Sequence, residues 1–235
     1  MKKRIIIPII AFAILLFGVW YVNDYYHSED EICMYLEDSE NVDVAEIAEG
    51  IFFDGKGEKE ALVFYPGGKV EYTAYAPIMQ KIAERGVDCF LLKMPCNLAI
   101  LDMDKAKEIQ NSYSYDIWHM GGHSLGGAAA SAYVLNSVYE VESLLLLGAY
   151  PMEDLSQTEL KVLSLYGSED QVLNHEKFEE GRNLVPQNSK YVEILGGNHA
   201  WFGMYGEQEG DGKAVITQEE QWQITANECL DIMRQ

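Results

Sequence analysis

Positive charge is scarce in this chain. Seventeen Lys and Arg stand against 38 Asp and Glu, a net charge of −21. Lys2, Lys3 and Arg4 sit apart at the N-terminus. The rest holds 14 basic against 38 acidic residues, a net −24. Such a body repels phosphate backbones, which argues against a nucleic-acid partner. The carboxylates read as a solvated surface that keeps the protein soluble. Cysteine is sparse too: Cys33, Cys89, Cys96 and Cys229. No two have metal-ligand spacing, and no His joins them in a zinc pattern. No His/Asp/Glu cluster has ligand spacing either, so neither a metal nor a cofactor is expected. None of the four lies in a nucleophile-like turn, which argues against a cysteine enzyme. Cys89 and Cys229 read as core residues, and disulfide pairing stays open. Internal repeats and low-complexity tracts are lacking. With 235 residues, 48% of them hydrophobic, the chain can bury one sizeable core and not two.

Charge is also missing from Ile5 to Val22. As a helix these 18 residues rise about 27 Å, close to the hydrocarbon thickness of a bilayer. Pro8 falls in the first turn, where a missing N–H costs little. Lys2, Lys3 and Arg4 predict a cytoplasmic N-terminus, and Trp20, Tyr21, Tyr25 and Tyr26 suit the opposite interface. A cleaved signal peptide is the rival reading. It needs a small-x-small site just past the apolar run, which Trp20 to Asp24 does not offer; Ala11 and Ala13 lie inside it. The expectation is an uncleaved single-pass anchor over residues 1–22 with the body outside the cytoplasm; secretion after cleavage is the lesser alternative. Residues 23–48, polar and acidic, read as a stalk with a short helix through Ile32 to Leu36.

From residue 49 onward strands and helices alternate. Gly50–Phe53 reads as an outer strand. Ala61–Tyr65 is a continuous apolar run, as in a strand buried on both faces. Further strands are predicted at Val87–Leu92, Tyr115–Met120, Val141–Leu147, Leu160–Tyr166 and Tyr191–Leu195. Helices fall between them, around Tyr75–Ile82, Met103–Ile109 and Ala128, and from Glu176 to near Pro186. A last helix opens on Thr217 with Glu220 three residues on, a capping box, and buries Trp222, Ala226, Cys229, Leu230 and Met233. This order predicts an α/β fold, a mostly parallel sheet with helices on both faces. Ligands in such sheets bind at the carboxyl ends of the strands.

Those ends hold the chemistry. Gly122-His123-Ser124-Leu125-Gly126 spells G-x-S-x-G between a strand and a helix of small residues. A serine at that sharp turn adopts a strained backbone. Glycine is needed two before and two after it, because a Cβ there would meet the neighbouring chain. The helix N-terminus beside it favours developing negative charge. Pro66-Gly67-Gly68-Lys69 follows the 61–65 strand, Gly167-Ser168-Glu169-Asp170 the 160–166 strand, and Gly196-Gly197-Asn198-His199 the last strand. A hydroxyl, a carboxylate and an imidazole thus occur in chain order at three strand ends. Serine needs a base within reach, and the base needs a carboxylate to fix its tautomer. Asp170 has a blander reading as the cap of the following helix, with Glu169 as reserve acid. His123 reads as pointing sideways from the turn, His119 as core or edge, and His27 and His175 as solvated.

This pattern resembles the α/β-hydrolase superfamily, in which serine, acid and histidine run in that order, and within it the compact bacterial members without a cap domain. The resemblance spans about residues 49–235. It implies Ser124 as nucleophile, Asp170 as acid and His199 as base. It further implies the backbone N–H groups of Leu125 and Gly68 as oxyanion donors, with Gly67 or Lys69 if the register shifts by one. One departure stands out: where many relatives open the oxyanion loop with His-Gly, this chain has Pro66-Gly67, and proline brings no donor to hold the loop. The Gly148–Glu159 link is too short for a lid domain, which suits small or flexible acyl substrates. Ala200–Gly206 either walls the pocket with its aromatics or packs beneath the last helix. Lys69 either attracts an anionic substrate or is solvated. The function implied is cleavage of an ester-like acyl bond through an acyl-enzyme. A non-catalytic binding module of the same fold, or an amidase, thioesterase or lactonase with the same trio, is the alternative.

Overall fold

The structure, a computed structural model, describes residues 12, 16, 18–57 and 59–235. Eight strands form one sheet: β1 (Asp43–Ile47), β2 (Gly50–Asp54), β3 (Glu60–Tyr65), β4 (Asp88–Leu92), β5 (Ile117–His123), β6 (Ser143–Leu147), β7 (Lys161–Gly167) and β8 (Lys190–Ile194). Their spatial order is β1-β2-β4-β3-β5-β6-β7-β8. From β4 through β8 every pairing is parallel, while β1, β2 and β4 pair antiparallel along one edge.

The sheet is covered on both sides because its central strands present buried apolar side chains to both faces. Along β3, Leu62 and Phe64 face one core, and Ala61, Val63 and Tyr65 face the other. Each fully buried Leu or Phe contributes roughly 1.5–3 kcal/mol. The first face takes α1 (Ala76–Ala83) through Ile78, Met79 and Ile82, and α5 (Gln218–Met233) through Trp222, Ala226, Cys229 and Leu230. The capping box at Thr217 and Glu220 is present as predicted. The second face takes α2 (Ala106–Ser112) through Ala106 and Ile109, and α3 (Leu125–Asn136) through Ala129, Ala130 and Tyr133. There too α4 (His175–Gly181) sets Phe178 against Tyr166 and Tyr191. Cys89 and Cys229 are buried as expected, and all four cysteines are free thiols.

Two expectations about the N-terminal part meet different outcomes. The anchor over residues 1–22 falls almost wholly outside the described residues. Among the described residues no helix is long and apolar enough to cross a membrane. The segment 23–48, expected as a stalk, instead lies along the folded body. Tyr26 pairs in parallel with Val70: its N–H donates to the Lys69 carbonyl at 2.8 Å and its carbonyl accepts from Glu71 at 2.8 Å. The Glu29 N–H donates to the Met204 carbonyl at 3.0 Å. Asp43–Ile47 then joins the sheet as the edge strand β1. An edge strand buries little, so its sequence carries no apolar run, and only backbone pairing reveals it.

Candidate active site

β5 ends at His123, so Ser124 is the first residue past the strand and the cap of α3. Its backbone is forced to φ 52°, ψ −122°, a conformation that L-residues other than glycine rarely adopt. The flanking glycines are obligatory. A Cβ on Gly122 would stand 2.4 Å from the Gly126 carbonyl carbon, and one on Gly126 would stand 2.3 Å from the carbonyl oxygens of Tyr65 and Pro66. The Ser124 N–H donates to the Leu147 carbonyl at 2.9 Å. Its hydroxyl makes no capping bond, which leaves it free for chemistry.

His199 and Asp170 meet from the ends of β8 and β7. His199 Nδ1 lies 2.8 Å from Asp170 Oδ2, and both side chains are buried. The other oxygen, Oδ1, accepts the N–H groups of Val172 at 3.0 Å and Leu173 at 2.8 Å. Asp170 is therefore the imidazole partner and the acceptor of its own turn, while the expected helix cap falls to Asn174, whose side chain accepts the Lys177 N–H at 3.0 Å. Glu169 is turned away and accepts from its neighbour Ser168 at 2.9 Å. Gly148, at φ +51°, leaves room for the imidazole: a Cβ there would come within 2.9 Å of His199 Nδ1.

Ser124 and His199 line one cleft of about 340 Å³, together with Leu125, Ala128, Gly148, Ala149, Tyr150, Met152, Val172, Leu173 and Asn174. No hydrogen bond joins the Ser124 hydroxyl to His199, and such contacts commonly tighten only around substrate. Its walls are mainly apolar. The Gly148–Glu159 link contributes Tyr150 and Met152 to the wall and no lid.

The turn after β3 packs against the head of α3. A Cβ on Gly68 would stand 2.9 Å from Leu125 Cδ2. The donors of this turn are shared out. The Gly67 N–H is given to the Tyr75 hydroxyl at 3.1 Å, and the Lys69 N–H to the Asn97 carbonyl at 2.7 Å. The N–H groups of Gly68 and Leu125 have no hydrogen-bond partner among the described residues. Lys69 is not poised for an anion: its ammonium pairs with Asp24 at 2.9 Å and lies over the Tyr21 ring.

Other expectations resolve in the same region. His123, expected to point sideways from the turn, is buried beneath it. Its ring centroid lies 4.4 Å from that of His199 and 5.5 Å from that of Phe202. Desolvation holds its pKa well below the ordinary value, and the neighbouring His199 adds to this, while the His199 backbone carbonyl opposes it. His119 is buried, with Nδ1 2.8 Å from the Ser143 hydroxyl. The aromatics of Ala200–Gly206 are packing residues: Phe202 and Tyr205 join the core and do not line the cleft. Three residues that hold the site carried no sequence signal. Gln221, fully buried, exchanges two amide bonds with the Asn198 backbone, at 3.1 and 2.8 Å. Asp211 accepts from Gln171 at 3.2 Å and from Ala200 at 2.8 Å, tying the acid loop to the base loop. Tyr75 is the third. No group of His, Cys, Asp and Glu among the described residues is arranged to hold a metal.

A parallel sheet with a strained serine at one strand end and a buried His–Asp pair at two others defines the hydrolase class of α/β fold. Residues 61–223 match the alpha/beta hydrolase family, and the chain belongs to it. No curated protein matches the sequence. Among solved structures, similarity extends to the carboxylesterase CesB of Bacillus subtilis, at 13% identity and TM-score 0.60, covering 92% of this chain and 98% of that one. Dienelactone hydrolase of Anabaena variabilis gives 12% identity and TM-score 0.62, covering 82% and 99%. Est1E of Butyrivibrio proteoclasticus gives 13% and 0.58, covering 83% and 100%.

Proposed function

We propose that this hydrolase cleaves an ester-like acyl bond, with Ser124 as nucleophile, His199 as general base and Asp170 as the acid that orients it. The Ser124 hydroxyl attacks the carbonyl carbon as His199 Nε2 takes its proton. Asp170 Oδ2 holds the Nδ1–H, which fixes the tautomer and steadies the imidazolium. The oxyanion is received by the N–H groups of Leu125 and Gly68, neither of which is given to another partner among the described residues. The imidazolium then gives its proton to the leaving alkoxide, which departs and leaves an acyl-serine. Water, deprotonated by His199, attacks the acyl-serine, and the serine leaves with its proton restored.

The observation that carries this reading is the shared cleft: an unbonded serine hydroxyl on a strained turn, opposite an imidazole whose far nitrogen is held by a buried carboxylate. Leu125, Ala128, Ala149, Met152, Val172 and Leu173 supply apolar wall, and apart from His199 no ionisable side chain other than the Tyr150 phenol lines the cleft. That favours a neutral, modest acyl group. The likeness to proteins named carboxylesterase and dienelactone hydrolase is in keeping with it. The apolar, uncharged run 5–22 supports a tether that keeps the body outside the cytoplasm.

The test is Ser124→Ala, assayed with short p-nitrophenyl esters alongside fluorophosphonate labelling of the native protein. Loss of a triad member should lower kcat/KM by about three orders of magnitude or more and abolish labelling. Undiminished turnover in the variant rejects the assignment.

A further inference from the structure

The oxyanion loop here begins with Pro66-Gly67 and lacks the histidine that many relatives place before the glycine, so something else must hold it. We propose that Tyr75 and His123 are positioning residues that brace the Gly67–Gly68 turn against the base loop. The inference rests on the hydrolase reading above and deepens it.

Tyr75 closes the 3-10 turn Tyr72–Tyr75 that leads into α1, and its side chain is fully buried. A buried hydroxyl without partners costs free energy, so its bonds are informative. It has two. It accepts the Gly67 N–H at 3.1 Å and lies 2.8 Å from His123 Nδ1. Burial raises the phenol pKa far above its ordinary value, so the oxygen keeps its proton. An oxygen that already accepts from Gly67 then donates that proton to Nδ1. This places the His123 proton on Nε2 and keeps the imidazole neutral, in line with its depressed pKa.

The pair is also a mould. A Cβ on Gly67 would stand 2.6 Å from the Tyr75 oxygen and 2.8 Å from His123 Nδ1. Glycine at 67 is thus set by the brace and not by its own torsion. On the far side the His123 ring lies tilted against the His199 ring, 4.4 Å between centroids. One hydrogen-bonded unit therefore touches the turn that carries the Gly68 donor and the ring of the base. Neither side chain lines the cleft, so neither meets substrate. Their effect is geometric. Taking up the Gly67 N–H orients the turn, and the next N–H, that of Gly68, is left for the oxyanion. Misplacing such a donor by about 1 Å costs on the order of 100-fold in rate.

The experiment compares wild type, Ser124→Ala, Tyr75→Phe, His123→Asn and His123→Leu in the full chain, reading kcat, KM and the second-order rate of fluorophosphonate labelling. Tyr75→Phe should lower kcat and the labelling rate by about 10- to 100-fold with KM within about threefold, because a misplaced oxyanion donor is felt in the transition state and hardly in ground-state binding. Asn at 123 offers a carbonyl oxygen in place of Nδ1, so His123→Asn should keep most of the activity that His123→Leu loses. The two His123 variants answer the question even if Tyr75→Phe does not fold. A folded Tyr75→Phe protein with kcat within threefold of wild type overturns the brace, as does a His123→Asn protein no better than His123→Leu. In either case an active wild type and a dead Ser124→Ala protein leave the hydrolase reading standing. A wild type that neither turns over nor labels overturns both.

Discussion

Asp170 shows how much one side chain can decide. In sequence it reads as a helix cap or as the acid of a trio; the structure gives the cap to Asn174 and sets one Asp170 oxygen on His199 and the other on the backbone of the turn that follows. Ser124 is different: its strained turn is legible from Gly122 and Gly126 alone, since a Cβ at either position would collide with backbone. The histidines needed the fold. His119 sits mid-strand in β5, where alternation says only that it faces one side of the sheet. Burial there lowers its pKa to about 4, against the pull of Glu142 and with the help of Lys161. The unfolded chain binds this proton near pH 6.5 and the native state does not, so native stability falls as pH drops from about 6.5 toward 4. The loss approaches 3 kcal/mol, roughly, and levels off below that range. His123 acts in the same direction. Chemical denaturation across pH 4–7 should show this slope, and His119→Asn should flatten it. A slope unchanged in that variant would assign the acid sensitivity elsewhere.

At the scale of elements, strands and helices followed from periodicity because β3 through β7 and α5 bury most of what they contain. Boundaries moved by a few residues. β5 runs on through Gly121 and Gly122, which carry no strand propensity but pair with Leu145 and Leu146 of β6. β1 was invisible for the opposite reason, having little apolar surface to announce it. The loops hold the larger surprise. Residues 207–213 are polar and glycine-rich with no periodicity, yet Asp211 reaches the backbone beside both Asp170 and His199. Asp211→Ala leaves those N–H groups without their acceptor and lets the two loops move independently. We expect a kcat loss of about tenfold or more and a destabilisation of about 1–3 kcal/mol. Steady-state kinetics and thermal melts would measure these, with Asp211→Asn intermediate because one oxygen acceptor remains.

For the whole molecule, the informative feature is where the chain enters the domain. Asp24 to Glu29 lies across the segment that follows the Gly67–Gly68 turn. Tyr26 pairs with Lys69 and Glu71, Asp24 pairs with Lys69, and the Ser28 N–H donates to Glu71 at 3.1 Å. An N-terminal tether would thus pull on the backbone one to three residues from Gly68. Removing residues 1–23 should leave kcat on soluble esters within about twofold of the full chain. Removing residues 1–31 strips these pairings and should lower both kcat and melting temperature, each lost backbone bond costing about 1 kcal/mol. Equal behaviour of the two truncations would mean that the strap is passive.

The order of strands and helices, the serine turn and the presence of an acid and a histidine past later strands all follow from sequence. They depend on local rules: apolar periodicity, glycine where backbones collide, and turns at strand ends. Which N–H of the Gly67–Gly68 turn stays unspent, why Pro66 is tolerated, and that the acidic N-terminal stretch is a strap all depended on tertiary structure. Each turns on a partner 8 to 48 residues away along the chain, and hydrogen-bond allocation between such distant groups exists only once packing has brought them into contact.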